Sequence, residues 1–215
     1  MAIPLRGAWT GNRGNLHHGT EIVRFHRGSL WITCALRFRD WRLPQWAPGR
    51  FTLLFFHDEA VALAAGHRPC ALCRRADYTA YRDAWAAATG QPPPRAVELD
   101  RQLHSERLIR GTHRRRWHPM PWAELPDGTF VLLDDAAAPA HAAVPTGDPA
   151  APVPTSLTER PALVVGDAVV PWTTAGYAAP LPRPRSGQVR VITPPTSVAA
   201  LRAGYRPQLD PAVLG

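Results

Sequence analysis

Apolar and polar residues alternate along LWITCALRF at 30–38, which predicts a strand with Ile32, Cys34, Leu36 and Phe38 on one face and Trp31, Thr33, Ala35 and Arg37 on the other. After the turn signal APG at 47–49, RFTLLFF at 50–56 is nearly continuous in apolar residues. It predicts a second, central strand, paired with the first as a hairpin. The period then lengthens. HDEAVALAAG opens a short helix in which Asp58 is the N-cap, Glu59 suits the positive end of the helix dipole and Gly66 is the stop, with Pro69 preventing continuation. A longer helix is predicted over 71–89, with Leu72, Tyr78, Tyr81 and Trp85 near helical spacing and Gly90 followed by QPPP at its end. A third, over 96–109, sets Asp100, His104 and Arg107 on one face.

Residues 1–20, including GNRGNLHHG, show no period and read as a loop presenting Arg13, His17 and His18. Beyond Pro119, WAELPDGTFVLLD predicts a hairpin-like pair around Asp127 and Gly128. ALVVGDAVVPWT predicts a second hairpin around Gly166 and Asp167, and QVRVIT a further strand. The Ala/Pro-rich run DDAAAPAHAAVPTGDPAAPVPT between them reads as a crossing loop. Two segments echo each other: VALAAGHRPC at 61–70 and AALRAGYRPQ at 199–208 share Ala-Gly, a ring, then Arg-Pro, which predicts the same helix-stop mechanics twice. The pattern adds up to an α+β fold: a small antiparallel or mixed sheet with helices over it in a metal-binding portion, 1–118, and a β-rich C-terminal portion, 119–215, packing on it, either as a second unit or with it as one single domain.

Composition adjusts this picture in two places. With 24 prolines among 215 residues, elements should be short and loops many. The net charge of +8 is carried entirely by arginine, since the chain contains no lysine. Arg68, Arg74 and Arg75 flank Cys70 and Cys73, and Arg114, Arg115 and Arg116 cluster with Arg110, His113, Trp117 and His118. Arginine interleaved with aromatics can fork onto phosphates and stack on bases, so these patches predict a nucleic-acid partner, DNA in preference to RNA. No stretch approaches a membrane span and the N-terminus lacks a signal-peptide core, which predicts a cytoplasmic protein with no membrane partner.

In a reducing compartment three cysteines, two of them spaced as CxxC, favour a metal over a disulfide framework. Cys70 and Cys73 supply two thiolates from one turn, half of a tetrahedral zinc site. Cys34 is a candidate third ligand, with a plain core position as the alternative. His104 leads the candidates for a fourth, because Asp100 and Glu106 nearby offer a carboxylate to orient its ring. His57, His17, His18 and His67 follow. A thioredoxin-type role for the CxxC is disfavoured, since a helix and a proline precede it rather than a strand.

At residues 51–75, FTLLFFHDEAVALAAGHRPCALCRR resembles the zinc-knuckle half of the metal-binding domain of Ada, the methylphosphotriester DNA-repair protein. The resemblance implies a zinc-binding fold on DNA phosphates, with Cys70 and Cys73 as the last two of four thiolate ligands and Cys34 near an earlier one. In that family one zinc thiolate accepts a methyl group; for Cys34 the resemblance does not imply this. This chain has Phe38 near the place of the family's remaining cysteine, so four thiolates are not available. GNRGNLHHG, LDRQLHSERL and TPPTSVAALRAGYRP resemble a bacterial family that implies no activity.

Two functional readings follow. One is a zinc protein that binds nucleic acid, in DNA repair or modification. The other is a metal-dependent enzyme acting on an anionic substrate, with Asp100, His104, Glu106 and His18 as catalytic groups and Arg107, Arg13 and His17 beside them. No Walker loop, dinucleotide fingerprint, HExxH or GxSxG occurs, which removes the commonest nucleotide hydrolases, dehydrogenases, zincins and α/β-hydrolases.

Overall fold

The computed structural model describes residues 5–41, 44–112, 114–134 and 159–213. In chain order these form β1 (Trp9–Asn12), β2 (His17–His18), β3 (Glu21–Ile22), β4 (Ile32–Ala35), β5 (Leu54–Phe56), α1 (Glu59–Ala64), β6 (Arg68–Pro69), α2 (Arg75–Thr89) and α3 (Ala96–Arg107). There follow β7 (His118–Pro121), β8 (Phe130–Asp134), β9 (Glu159–Val165), β10 (Ala168–Thr173), β11 (Gly176–Tyr177), β12 (Leu181–Pro182), β13 (Gln188–Val191) and α4 (Pro195–Arg202). His113 and the Ala/Pro-rich run after Asp134 lie outside the described residues.

The fold is α+β. A small mixed sheet has the order β5-β1-β4-β6, and a larger antiparallel one runs β11-β10-β9-β8-β13-β7 with β12 also paired to β10. The predicted strands at 30–38 and 50–56 are both present, shortened to β4 and β5, but they do not pair as a hairpin. β1, from the segment read as loop, lies between them and is antiparallel to both. Its sequence WTGN hides it, because a glycine weakens the strand signal. Gly11 is needed there: a Cβ would stand 2.4 Å from Cε2 of Phe56 on the neighbouring strand. The turn at Asp127 and Gly128 is likewise not a hairpin. A 3-10 turn at Trp122–Glu124 precedes it, and β8 pairs instead with β9 and β13. The hairpin predicted around Gly166 and Asp167 is present as β9 and β10.

Both faces of the large sheet are apolar, as the continuous runs in its strands require. Val131, Ala162, Val164, Val169 and Val191 pack under Trp122, Leu125 and Val198, while Phe130, Leu163 and Val170 of the opposite phase meet Ala60 and Ala64 of α1. The remaining face of α1 gives Leu63 to a helical core shared with Tyr78, Tyr81, Leu99, Leu103 and Leu201. The portions before and after residue 118 therefore share a core. α4 lies against α2, where the Tyr81 and Ser197 hydroxyls are 2.8 Å apart.

The two echoed segments end their helices identically. His67 N–H donates to Ala62 O (2.9 Å) and Gly66 N–H to Leu63 O (2.8 Å); Tyr205 N–H donates to Ala200 O (3.0 Å) and Gly204 N–H to Leu201 O (3.1 Å). These are paired Schellman bonds, with the glycines at φ of 78° and 102°. In each case the following ring is buried.

Candidate metal centre

Parallel pairing of β6 with β4 sets Arg68 opposite Ile32 and Pro69 opposite Thr33, and Cys70 N–H continues the ladder to Thr33 O at 3.0 Å. The next residue on each chain is a cysteine, so Cys34 and Cys70 lie side by side. The backbone then turns, with Arg74 N–H bonded to Cys70 O at 3.1 Å, which brings Cys73 back over the pair before α2 begins. The three Sγ atoms lie within 4.8 Å of one another. Two sulfurs about 2.3 Å from one tetrahedral ion stand about 3.8 Å apart, so the cluster has the dimensions of a single-ion site. Cys34, Cys70 and Cys73 can hold a metal ion.

The environment suits thiolate. Leu72 N–H points at Cys70 Sγ from 3.4 Å. Thiol hydrogen bonds from Cys34 and Cys73 push the Cys70 thiol well below its ordinary pKa, and the same sharing, with burial, pushes Cys34 up. A bound cation would favour the thiolate form of all three.

The strand face predicted for Cys34 is correct, but it is not core. Trp31 and Thr33 on the opposite phase are the buried ones. Cys34 opens with Ile32, Leu36 and Phe38 on a cavity of about 310 Å³, walled also by Trp41, Phe51 and Phe55, with Cys70, Leu72 and Cys73 at its edge. Trp41, Phe55, Leu36 and Leu72 are exposed there, forming an apolar lip. Thr10 and Asn12 from β1 also line the cavity. Their contribution was invisible in the sequence because β1 was.

No described histidine or carboxylate joins the three sulfurs at ligand spacing. The expectation for His104 is corrected: its ring faces Trp31 and His26, at centroid distances of 6.2 and 5.2 Å, on the phase of β4 opposite Cys34. His57 is engaged at both nitrogens, with Nε2 2.7 Å from Asp210 and Nδ1 accepting from Trp172 Nε1 at 3.3 Å. His67 is buried with Nδ1 3.1 Å from Ala65 O, and His17 Nδ1 is 2.6 Å from Thr52 Oγ1.

The predicted catalytic set is dispersed. Asp100 and Arg107 share a face of α3 as the spacing required, but that face is internal. Asp100 is forked to Arg68 (Nε to Oδ1 2.8 Å, Nη2 to Oδ2 2.7 Å). Arg107 donates to the Gly66 and Ser29 carbonyls and lies 4.2 Å from the Trp31 ring, which Arg13 also approaches at 4.9 Å. Glu106 accepts from Thr196 N–H and Oγ1, both at 2.8 Å, stabilising the positive start of α4. His18 is exposed on β2, away from this group.

The arginine expectations divide by burial. Arg68 is sealed against Asp100. Arg74 is buried between Glu59 (2.8 Å) and Asp77 (2.9 Å), 3.9 Å over the Trp9 ring. Neither can reach a phosphate, because each is the internal partner of a buried carboxylate. Arg115 turns inward to the Ala64 and Ile192 carbonyls. Arg75, Arg110, Arg114 and Arg116 are exposed.

Comparison with family models, curated proteins and solved structures returns no match, so the site's chemistry rests on its geometry. No helix among the described residues is long and apolar enough to cross a membrane.

Proposed function

We propose that Cys34, Cys70 and Cys73 bind one zinc ion, and that the protein engages DNA at the mouth of this site. The observation that carries the proposal is the convergence of three Sγ atoms within 4.8 Å at the wall of an aromatic cavity. Thiolates select soft or borderline ions, and zinc tolerates three protein ligands with a fourth position left for an outside group. The three cysteines line the cavity, so an outside ligand could reach the ion from there. Arg37, Arg39 and Arg50 are exposed and adjoin cavity residues in the chain, Arg75 is exposed two residues after Cys73, and Trp41 is 64% exposed on the cavity. Aromatic faces that stack on bases, ringed by guanidinium groups that hold phosphates, are the chemistry of single-stranded and unstacked nucleic-acid binding. The resemblance to the Ada metal-binding domain points the same way and narrows the target to alkylated DNA. A zinc-bound thiolate is a nucleophile, and an apolar cavity beside it accommodates an alkyl group.

Elemental analysis of untagged protein tests the first half. About one zinc per chain is expected, lost in both Cys34→Ser and Cys70→Ser. A wild type without metal after chelator-free, reducing purification would overturn the proposal. For the second half, anisotropy of a labelled single-stranded oligonucleotide should show salt-dependent binding that weakens in Arg37→Ala/Arg39→Ala and in Trp41→Ala. Unchanged affinity in both would remove the DNA half and leave the metal.

A second reading has its own support. With no fourth protein ligand among the described residues, a bound ion would have a position free to act as a Lewis acid on a carbonyl or other donor oxygen of a small substrate whose apolar part fits the cavity. A zinc-loaded protein that binds no nucleic acid would favour it.

A further inference from the structure

A second cavity lies on the Trp31 side of the small sheet, separated from the cysteines by β4. It has a volume of about 750 Å³ and is lined by the end of α3, the described residues of the turn between Leu108 and Arg116, and the start of β7. The turn is tight: Ile109 N–H bonds to Arg114 O (3.0 Å) and Arg116 N–H to Arg107 O (3.1 Å). It sends Arg115 inward while Arg110 and Arg116 stay on the cavity with His104, Trp117 and His118.

Three nitrogens in this wall are buried without a protein partner: Nδ1 of His104, Nε1 of Trp117 and Nε2 of His118. Indole nitrogen can only donate, so Trp117 requires an acceptor from elsewhere. Burial lowers the pKa of His104, and lowers that of His118 to about 4, so both rings are neutral near pH 7. The cavity's full positive charges are those of Arg110 and Arg116. One carboxylate lines it, Glu106, and its oxygens are already taken by Thr196. The wall therefore has spare donors and net positive charge. It is not a second metal site, because no group of three imidazoles or carboxylates among the described residues reaches ligand spacing there.

We infer that this cavity binds a small phosphate ester of nucleotide size, its phosphate held by Arg110 and Arg116 with the Trp117, His104 and His118 nitrogens completing the shell. A phosphate presents three terminal oxygens to such a set, and guanidinium is its preferred partner. The volume lies in the range of small-molecule sites and exceeds what inorganic phosphate occupies, and flat imidazole and indole walls suit a planar base. The inference does not depend on the metal.

Isothermal titration calorimetry of the whole protein at low ionic strength, with 5′-AMP, adenosine, inorganic phosphate and a duplex oligonucleotide lacking terminal phosphates, tests it. The expected pattern is saturable binding of 5′-AMP, weaker binding of phosphate and none of adenosine, with at least a tenfold loss in Arg110→Ala/Arg116→Ala. These two side chains are exposed, so the variant should fold, and an unchanged melting temperature checks this. Retention of a conservative Arg116→Lys affinity between those of wild type and Ala would add support. No heat with 5′-AMP or phosphate, undiminished affinity in the folded double variant, or binding of the duplex alone would each overturn it.

Discussion

Replacing Asp100 with alanine should destabilise the protein more than any surface substitution. The carboxylate is 4% exposed, and its partner Arg68 is 2% exposed. Two parallel charge-assisted hydrogen bonds join them, at 2.7 and 2.8 Å. Without the carboxylate, the buried guanidinium keeps, among the described residues, the Pro69 carbonyl at 2.9 Å and the face of Tyr78 at 5.1 Å. Breaking such a pair costs about 3–5 kcal/mol, because an uncompensated charge stays behind. In a domain of this length that lowers the melting temperature by about 6–20 °C, at about 2–4 °C per kcal/mol. The exposed Arg82 and Asp83 pair is the internal control: Asp83→Ala should cost about 0–1 kcal/mol. A volume-matched Arg68→Met/Asp100→Leu variant should recover most of the loss, since both charges go together. Urea unfolding followed by circular dichroism measures all three. If Asp100→Ala cost no more than Asp83→Ala, the buried-pair reasoning would be wrong.

Three further outcomes follow from buried groups. His67 is sealed among Arg13, Arg107 and Arg115, and burial first, then those charges, hold its pKa well below the ordinary value. The unfolded chain therefore binds a proton below about pH 6.5 that the folded chain refuses, so stability falls with decreasing pH by about 1.4 kcal/mol per unit from this residue. A His67→Gln variant whose urea midpoints ran parallel to wild type between pH 6.5 and 5 would sink the argument. Gly66→Ala should cost about 1–2 kcal/mol for the left-handed backbone and more for contact, because a Cβ would meet Arg107 Cδ at 2.8 Å. Gly204→Ala has the same backbone need and open space around it, so equal losses in the two variants would show that the contact is irrelevant. Cys70→Ser should lower thermal stability only in protein prepared with metal; the same deficit in chelator-treated samples would mean that the thiol acts by packing alone.

Period and burial direction are different pieces of information, and the chain shows where each was readable. The helix over 96–107 and the shared face of Asp100, His104 and Arg107 were legible, yet a shared face does not say whether it looks outward. The acidic and basic groups matched each other or backbone carbonyls inside the fold, so a cluster that reads as catalytic in sequence is mostly a set of internal ties. Arg114, Arg115 and Arg116 read as one patch but alternate outward, inward and outward in an extended segment. For the cysteines, the residue types were plain and the partner strand was not. An antiparallel approach of β6 to β4 would carry the residues after Thr33 and Pro69 in opposite directions and leave Cys34 far from Cys70. Parallel approach requires a crossover, and α1 supplies it. Its Schellman stop at Gly66 aims the chain back along β4, so that each strand delivers its cysteine at the same end. The helix stop that occurs twice in this sequence is thus not itself a metal motif, since the copy at Gly204 carries no thiols. It contributes to the cysteine cluster only where the strand it feeds, β6, runs into Cys70 beside Cys34 of β4.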